Sequence, residues 1–219
     1  MRLIDLSEEI RDGQRYHFNV TITDFMTHKD TGPRFEAPAE GYAAKLIMMA
    51  DHTSTHVDAP SHFWAKRRNI DEMPLDYFYG EGIFVDCSKV NGNGGVLGLQ
   101  TFLDCLKNAG QPLQRGDVLL VKIQQENRDV FCGFDEELAK YLVEQGIKLL
   151  GVDRGTPDCG DMKSRPVHVN LLQNDIPIVE NLRKLQQLAG QRFVFVGLPL
   201  KIQGGTGSPI RAVAMLDWN

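Results

Sequence analysis

The chain predicts a mixed α/β fold, and three stretches carry that prediction. Residues 117–123 (DVLLVKI) form a continuous apolar run of strand length, and residues 134–145 place Leu138, Tyr141 and Leu142 on one helical face before Gly146. Residues 147–152 are a second apolar run. A strand, a helix and a strand in that order imply two parallel strands joined by a right-handed crossover.

The remaining elements follow in order. Residues 3–6 read as a short opening strand. Residues 13–41 are polar and irregular, with Pro33 and Pro38, too long for an idle connector; they are a candidate wall of a substrate site or a surface excursion. Residues 45–50 read as a strand end, residues 63–78 as a loop with a short helical turn around Pro74, and residues 82–87 as a buried strand. The glycine-rich run 91–98 (NGNGGVLG) has Leu97 where a dinucleotide fingerprint needs its third glycine, and no Lys-Ser/Thr follows, so it reads as a turn. Residues 99–109 carry Leu99, Phe102, Leu103 and Leu106 at helical spacing, ended by Gly110. In residues 178–189, Ile178, Leu182, Leu185 and Leu188 form an apolar stripe stopped by Gly190; that predicts a late helix with Glu180 in its first turn. Strands at 193–198 and 210–216, with a Gly-rich turn at 204–207 between them, complete the pattern. No repeat and no linker divides the chain, so residues 1–219 are expected to form one domain.

Composition narrows the function classes. A formal charge of -5 and a pI near 5.7, without a Lys/Arg-rich run, argue against a nucleic-acid or anionic-membrane surface and favour a small-molecule partner. The first residues lack a basic stretch followed by an apolar one, and no apolar run reaches transmembrane length, so a soluble, cytoplasmic chain is expected. Cys87, Cys105, Cys132 and Cys159 are irregularly spaced, which suggests reduced thiols rather than a metal or disulfide framework.

Residues 52–62, HTSTHVDAPSH, pack His52, His56, His62 and Asp58 into eleven positions. That density asks for a metal. The run is poor helix material, and Thr53 stands where a helical zincin needs Glu. A turn followed by an extended piece is expected, with His56 and Asp58 on one face at i and i+2 and His52 folding back to meet them. Imidazoles with a carboxylate suit Zn and also Mn or Fe. Asp153 and Asp158 follow the strand in GVDRGTPD, where α/β sheets place their sites; Asp153 is either an outer partner of the metal site or a turn cap. His168 stands alone in RPVHVNLL, and Cys159 could pair with it as a rival Cys-His arrangement.

HTSTHVDAPSHF resembles the signature of the cyclase-family metal-dependent hydrolases, the group that includes bacterial kynurenine formamidase and isatin hydrolase. LIDLSEEI, LLGVDRGTPD, IPIVENLRKLQQL and GSPIRAVA extend the resemblance nearly end to end. It implies a swivelling β/β/α fold with a mixed sheet and a homo-oligomer, commonly a dimer. It implies His52, His56, Asp58, His168 and Glu180 as metal ligands, with Asp58 and Glu180 bridging, and His62 as general acid/base. One or two divalent ions are implied, Zn first and Mn second. This chain has Ser54 where the family usually has Gly, and Val169 where Arg usually follows the histidine. The expected chemistry is hydrolysis of a small amide, formamide or lactam by metal-bound hydroxide, with His62 moving the proton. The reading from another class is a non-catalytic metal or small-ligand binder on the same fold.

Overall fold

The computed structural model describes residues 1–15, 18–90, 95–123, 133–159 and 163–217. Thirteen strands occur among them: β1 (Arg2–Asp5), β2 (Thr21–Met26), β3 (Ala44–Met48), β4 (His56–Asp58), β5 (Tyr79–Asp86), β6 (Val96–Leu97), β7 (Val118–Lys122), β8 (Gly133–Phe134), β9 (Leu149–Val152), β10 (Ile178–Glu180), β11 (Phe193–Val196), β12 (Gly207–Pro209) and β13 (Val213–Leu216). The helices are α1 (His28–Thr31), α2 (Leu99–Ala109), α3 (Glu136–Gln145) and α4 (Pro166–Gln173). Nine strands form one sheet in the order β1-β13-β11-β5-β7-β9-β10-β4-β12. Its middle, β5-β7-β9-β10, is parallel, and each crossover carries one of α2, α3 and α4. Antiparallel pairs complete both sides.

Period-two alternation divides the central strands between two cores. Ile83, Val85, Leu119, Val121, Leu150 and Val152 face one side, where they meet Phe102 of α2, Leu138 and Leu142 of α3, and Leu171 of α4. Phe84, Val118, Leu120 and Leu149 face the other, against Phe193, Phe195 and loop residues such as Ile70 and Leu188. Both faces being covered explains why these strands read as continuous apolar runs instead of alternating ones. The mixed α/β fold class is therefore the observed one. Among the described residues, no helix is long and apolar enough to cross a membrane.

The helices expected from periodicity are present, α2 with the expected bounds and Gly110 at φ 70° as its left-handed cap. Helix α3 starts later than expected: Phe134 belongs to β8, and Asp135 caps the helix by accepting the Leu138 N–H at 2.7 Å. The late helix is a correction. Ile178–Glu180 is strand β10, inserted between β9 and β4, and only a 3-10 turn, Leu185–Leu188, follows. Asn181 and Lys184, at φ 58°, interrupt any helix, and the apolar stripe is divided, Ile178 entering the helical core and Leu182, Leu185 and Leu188 the other. A three-residue strand cannot be told from a helical turn by spacing.

The irregular reading of residues 13–41 is also corrected. They contain β2, which pairs antiparallel with β3, and the short helix α1. Both strands of that hairpin are largely exposed, so the alternation that would have revealed β2 is absent. At the other end, β13 is shorter than residues 210–216, and the Gly-rich turn leads into a separate strand, β12. Of the expected turn at 91–98, positions 91–94 lie outside the described residues, and Val96–Leu97 is strand β6, paired with β8. Cys87 and Cys105 are buried free thiols as expected, but Cys159 is disulfide-bonded, a pairing that spacing alone does not reveal. Cys132 lies outside the described residues.

Candidate metal centre

The same alternation that sorts the cores builds the site. Val57 of β4 and Val179 of β10 point into the helix-free core, so His56, Asp58 and Glu180 point to the helical side. Antiparallel register sets Glu180 opposite His56, and Asp58 opposite both Ile178 and Gly207. Helix α4 brings His168 to the same place from above the sheet. The extended geometry and the i, i+2 pairing expected of the histidine stretch are both present.

Six residues expected from the sequence line one cavity of about 620 Å³: His52, His56, Asp58, His62, His168 and Glu180. His56 Nε2 lies 3.3 Å from Asp58 Oδ1 and 3.5 Å from Glu180 Oε2. His168 Nε2 lies 3.3 Å from both Asp58 Oδ2 and Glu180 Oε1. His52 folds back across the turn, its Nδ1 2.7 Å from Asp58 Oδ1. The His62 ring packs over His52 with centroids 4.0 Å apart, and Phe63 stacks on His168 at 4.6 Å.

Asp58 is 1 % exposed and Glu180 4 %, a placement that costs several kcal/mol per charge unless it is compensated. Yet Asp58 Oδ2 and Glu180 Oε1 accept no hydrogen bond among the described residues. Two orphaned carboxylate oxygens converging with imidazole nitrogens are the arrangement a divalent cation completes. His52, His56 and Asp58 can each turn one donor atom to a common ion, and so can Asp58, His62 and His168, with Asp58 common to both sets. The donor set therefore fits a metal.

In the electrostatics of the site the buried carboxylates and imidazoles compensate one another. Burial raises the Asp58 pKa and the imidazoles of His168, His52 and His56 lower it; the imidazoles win, and it lies well below the carboxylate range. Burial and the neighbouring Asp58 both push Glu180 up. For His56, burial is outweighed by Asp58, Glu180 and the Ser54 carbonyl, so its pKa rises to about 9. His62 differs: burial and the neighbouring imidazoles exceed the pull of Asp58 and lower it to about 4.

Asp158 stands behind the site. It is fully buried, with Oδ2 2.5 Å from His168 Nδ1, and it accepts the Val167 N–H at 2.8 Å and the His168 N–H at 3.2 Å. Asp153 accepts the Ile123 N–H at 2.8 Å, a bond that ties the end of β9 to the end of β7. With Cys159 in a disulfide and His168 Nδ1 committed to Asp158, the Cys-His rival is excluded. Sequence reading misses Asn181, whose Nδ2 donates to the Ser54 carbonyl at 2.9 Å, and Thr206, 2.9 Å from His52 Nε2. Their only signal is proximity to features that stand out in the sequence, Glu180 and the Gly-rich turn.

Ser54, the departure from the family glycine, adopts φ 59°. That is left-handed backbone, which glycine enters without steric cost. Its hydroxyl donates to the Glu8 carbonyl at 2.8 Å, which offsets part of the strain.

Curated relatives include kynurenine formamidases of Bacillus cereus, 29 % identical over 172 residues, which are 76 % of this chain and 77 % of the relative, and of Bacillus anthracis, 28 % identical with the same coverage. Among solved structures, isatin hydrolase A from Labrenzia aggregata bound to benzyl benzoate superposes with a TM-score of 0.79 at 23 % identity, covering 98 % of this chain and 93 % of that one. An isatin hydrolase bound to the product analogue thioisatinate reaches 0.81 at 18 % identity, covering 98 % and 92 %. These structures share the fold. The family model described as "Putative cyclase" matches residues 4–159, which include the whole histidine stretch, and by that match the protein belongs to the Cyclase family.

Proposed function

We propose that the protein is a metal-dependent amidohydrolase that cleaves the C–N bond of a small amide, formamide or lactam. The observation that carries the reading is the convergence of two buried, unsatisfied carboxylate oxygens and three imidazoles on one cavity, with a fourth imidazole, His62, at its wall. The kynurenine formamidase relatives support a formamide or related substrate.

In this reading His52, His56, Asp58, His168 and Glu180 would hold one or two divalent ions, Zn before Mn. Such an ion supplies Lewis acidity, lowering the pKa of a water from about 15.7 to about 7 and polarising the scissile carbonyl. His62 is the acid/base. Held at about 4, its ring is neutral near pH 7 and can accept a proton from the attacking water. It then delivers that proton to the leaving nitrogen, so that water adds across the C–N bond to give a carboxylic acid and an amine. Phe63 stacks on the His168 ring at the wall of the cavity. Residues 1–219 act as one domain, in a cytoplasmic homodimer or higher homo-oligomer.

The test is turnover of aryl formamides, isatin, cyclic imides and lactones after reconstitution with Zn or Mn. Hydrolysis that depends on added metal supports the proposal. Stoichiometric metal binding without turnover of any amide would make the protein a binder instead.

A further inference from the structure

We infer that Thr206 and Asp51 are positioning residues for His52: together they fix its proton on Nε2 and commit Nδ1 to the ion. The inference rests on the ligand reading above. It concerns the Gly-rich turn, which the proposed chemistry leaves without a role.

The argument follows the protons. The Thr206 hydroxyl has one to give, and Asp51 Oδ2 lies 3.1 Å from it. The same carboxylate oxygen receives the Thr206 N–H at 3.1 Å, so the turn is oriented by two bonds to one acceptor. An ionised carboxylate only accepts, so the hydroxyl proton points to Asp51 and an oxygen lone pair faces His52 Nε2, 2.9 Å away. Nε2 must therefore carry a proton. Nδ1 is left facing the carboxylate oxygen Asp58 Oδ1 at 2.7 Å, a contact that a proton on Nδ1 satisfies in the metal-free fold. Because Nε2 is committed to Thr206, Nδ1 is the nitrogen that would exchange that proton for an ion beside Asp58.

The other two imidazoles are set the opposite way by the same logic. His56 Nδ1 is 2.9 Å from the Ser54 carbonyl, and His168 Nδ1 is 2.5 Å from Asp158, so each presents Nε2. The three rings thus offer one Nδ1 and two Nε2 atoms. The backbone enforces this for His52: Gly207 lies opposite Asp58 in the β4-β12 ladder. A Cβ there would sit 2.6 Å from His52 Cε1 and 2.9 Å from Nδ1, so the turn closes on the ring edge where only glycine fits.

The experiment uses the full chain and Zn²⁺. Thr206→Val keeps the side-chain shape and removes the acceptor; it should weaken Zn²⁺ about 10–100-fold in a chelator competition, the usual scale for an outer partner of a ligand. Thr206→Ser should restore most of that affinity. Nitrogen-15 spectra of the Zn²⁺-loaded wild type should show His52 protonated on Nε2 and coordinated through Nδ1, a signature that a merely structural role for the turn would not set. Wild-type affinity in Thr206→Val, or coordination of His52 through Nε2, would overturn the inference. If Thr206→Val does not fold, the wild-type spectrum alone decides. His52→Ala separates the two claims: unchanged Zn²⁺ affinity there ends the ligand reading itself, whereas loss there but not in Thr206→Val ends only the positioning role.

Discussion

Asp158 holds His168 from behind: a carboxylate without solvent exposure bonds the ring at Nδ1 and caps the first turn of α4 through two backbone N–H groups. The helix end and the imidazole are therefore oriented by one group. Asp158→Asn keeps an oxygen for the cap but removes the charge that holds the Nδ1 proton. We expect the fold to persist and metal affinity to fall about 10–100-fold, measured by chelator competition. Affinity equal to wild type would remove Asp158 from the site.

His62 separates an enzyme from a metal binder. His62→Ala should retain metal while kcat on any amide identified falls about a hundredfold or more, most for poor leaving groups, which need the proton most. Turnover at the wild-type rate from about pH 6 to about pH 9 would end the acid/base role. Loss of metal in the mutant would make His62 a ligand, which its distance to Asp58 and His168 allows.

Stability of the metal-free protein should depend on pH in a specific direction. His56 titrates at about 9 in the fold against about 6.5 unfolded. A raised pKa means that the folded state keeps its proton longer, so this stabilisation is complete below about pH 6.5 and disappears as pH climbs through about 9. Asp58 has the opposite sign: its depressed pKa stabilises above the ordinary carboxylate range, and that contribution is lost in acid. Thermal melting in chelator should therefore fall on the alkaline side, and a flat or rising Tm between about pH 6.5 and 9 would contradict the assignment. Because an ion must displace these protons, Zn²⁺ affinity should rise over the same interval.

Ser54 offers a test of backbone strain against hydrogen bonding. Ser54→Gly relieves the positive φ but loses the bond to Glu8, two effects of about 1 kcal/mol and opposite sign. Ser54→Ala loses the bond and keeps the strain. Chemical denaturation should rank Ser54→Ala below Ser54→Gly, and the reverse order would show that the strain is negligible.

The parallel centre of the sheet was legible because its strands are apolar on both faces and its helices have one wet side; Leu138 and Leu142 are buried as their spacing predicts. Of the β2-β3 pair, β3 was legible as the strand at 45–50 but β2 was not, since its largely exposed residues, Phe25 among them, carry no alternation. In the site, the local density of residues 52–62 marked a metal candidate without any fold. His168 and Glu180 were legible only through family resemblance, because one sits in a helix and the other in a short strand with nothing unusual beside it. Asp51 and Thr206 act through hydrogen bonds that cross the fold, and Asp158 reaches His168 across a loop of ten positions; no local pattern encodes such bonds.

Strand β4 is paired on one side by β10 and on the other by β12, and both are made much later than β4 itself. Thr55 and the Asn181 carbonyl that it bonds are 126 positions apart; His52 and Thr206 are 154 apart. A ribosome adds roughly 5–20 residues per second, so about eight to thirty seconds separate synthesis of the histidine stretch from synthesis of its last partner. During that interval the nascent polypeptide exposes its imidazoles to any ion in the medium with neither flanking strand in place. The pocket closes only once Thr206, 154 positions after His52, and β12 have been made, so an ion taken up earlier would have to be held without both flanking strands in place.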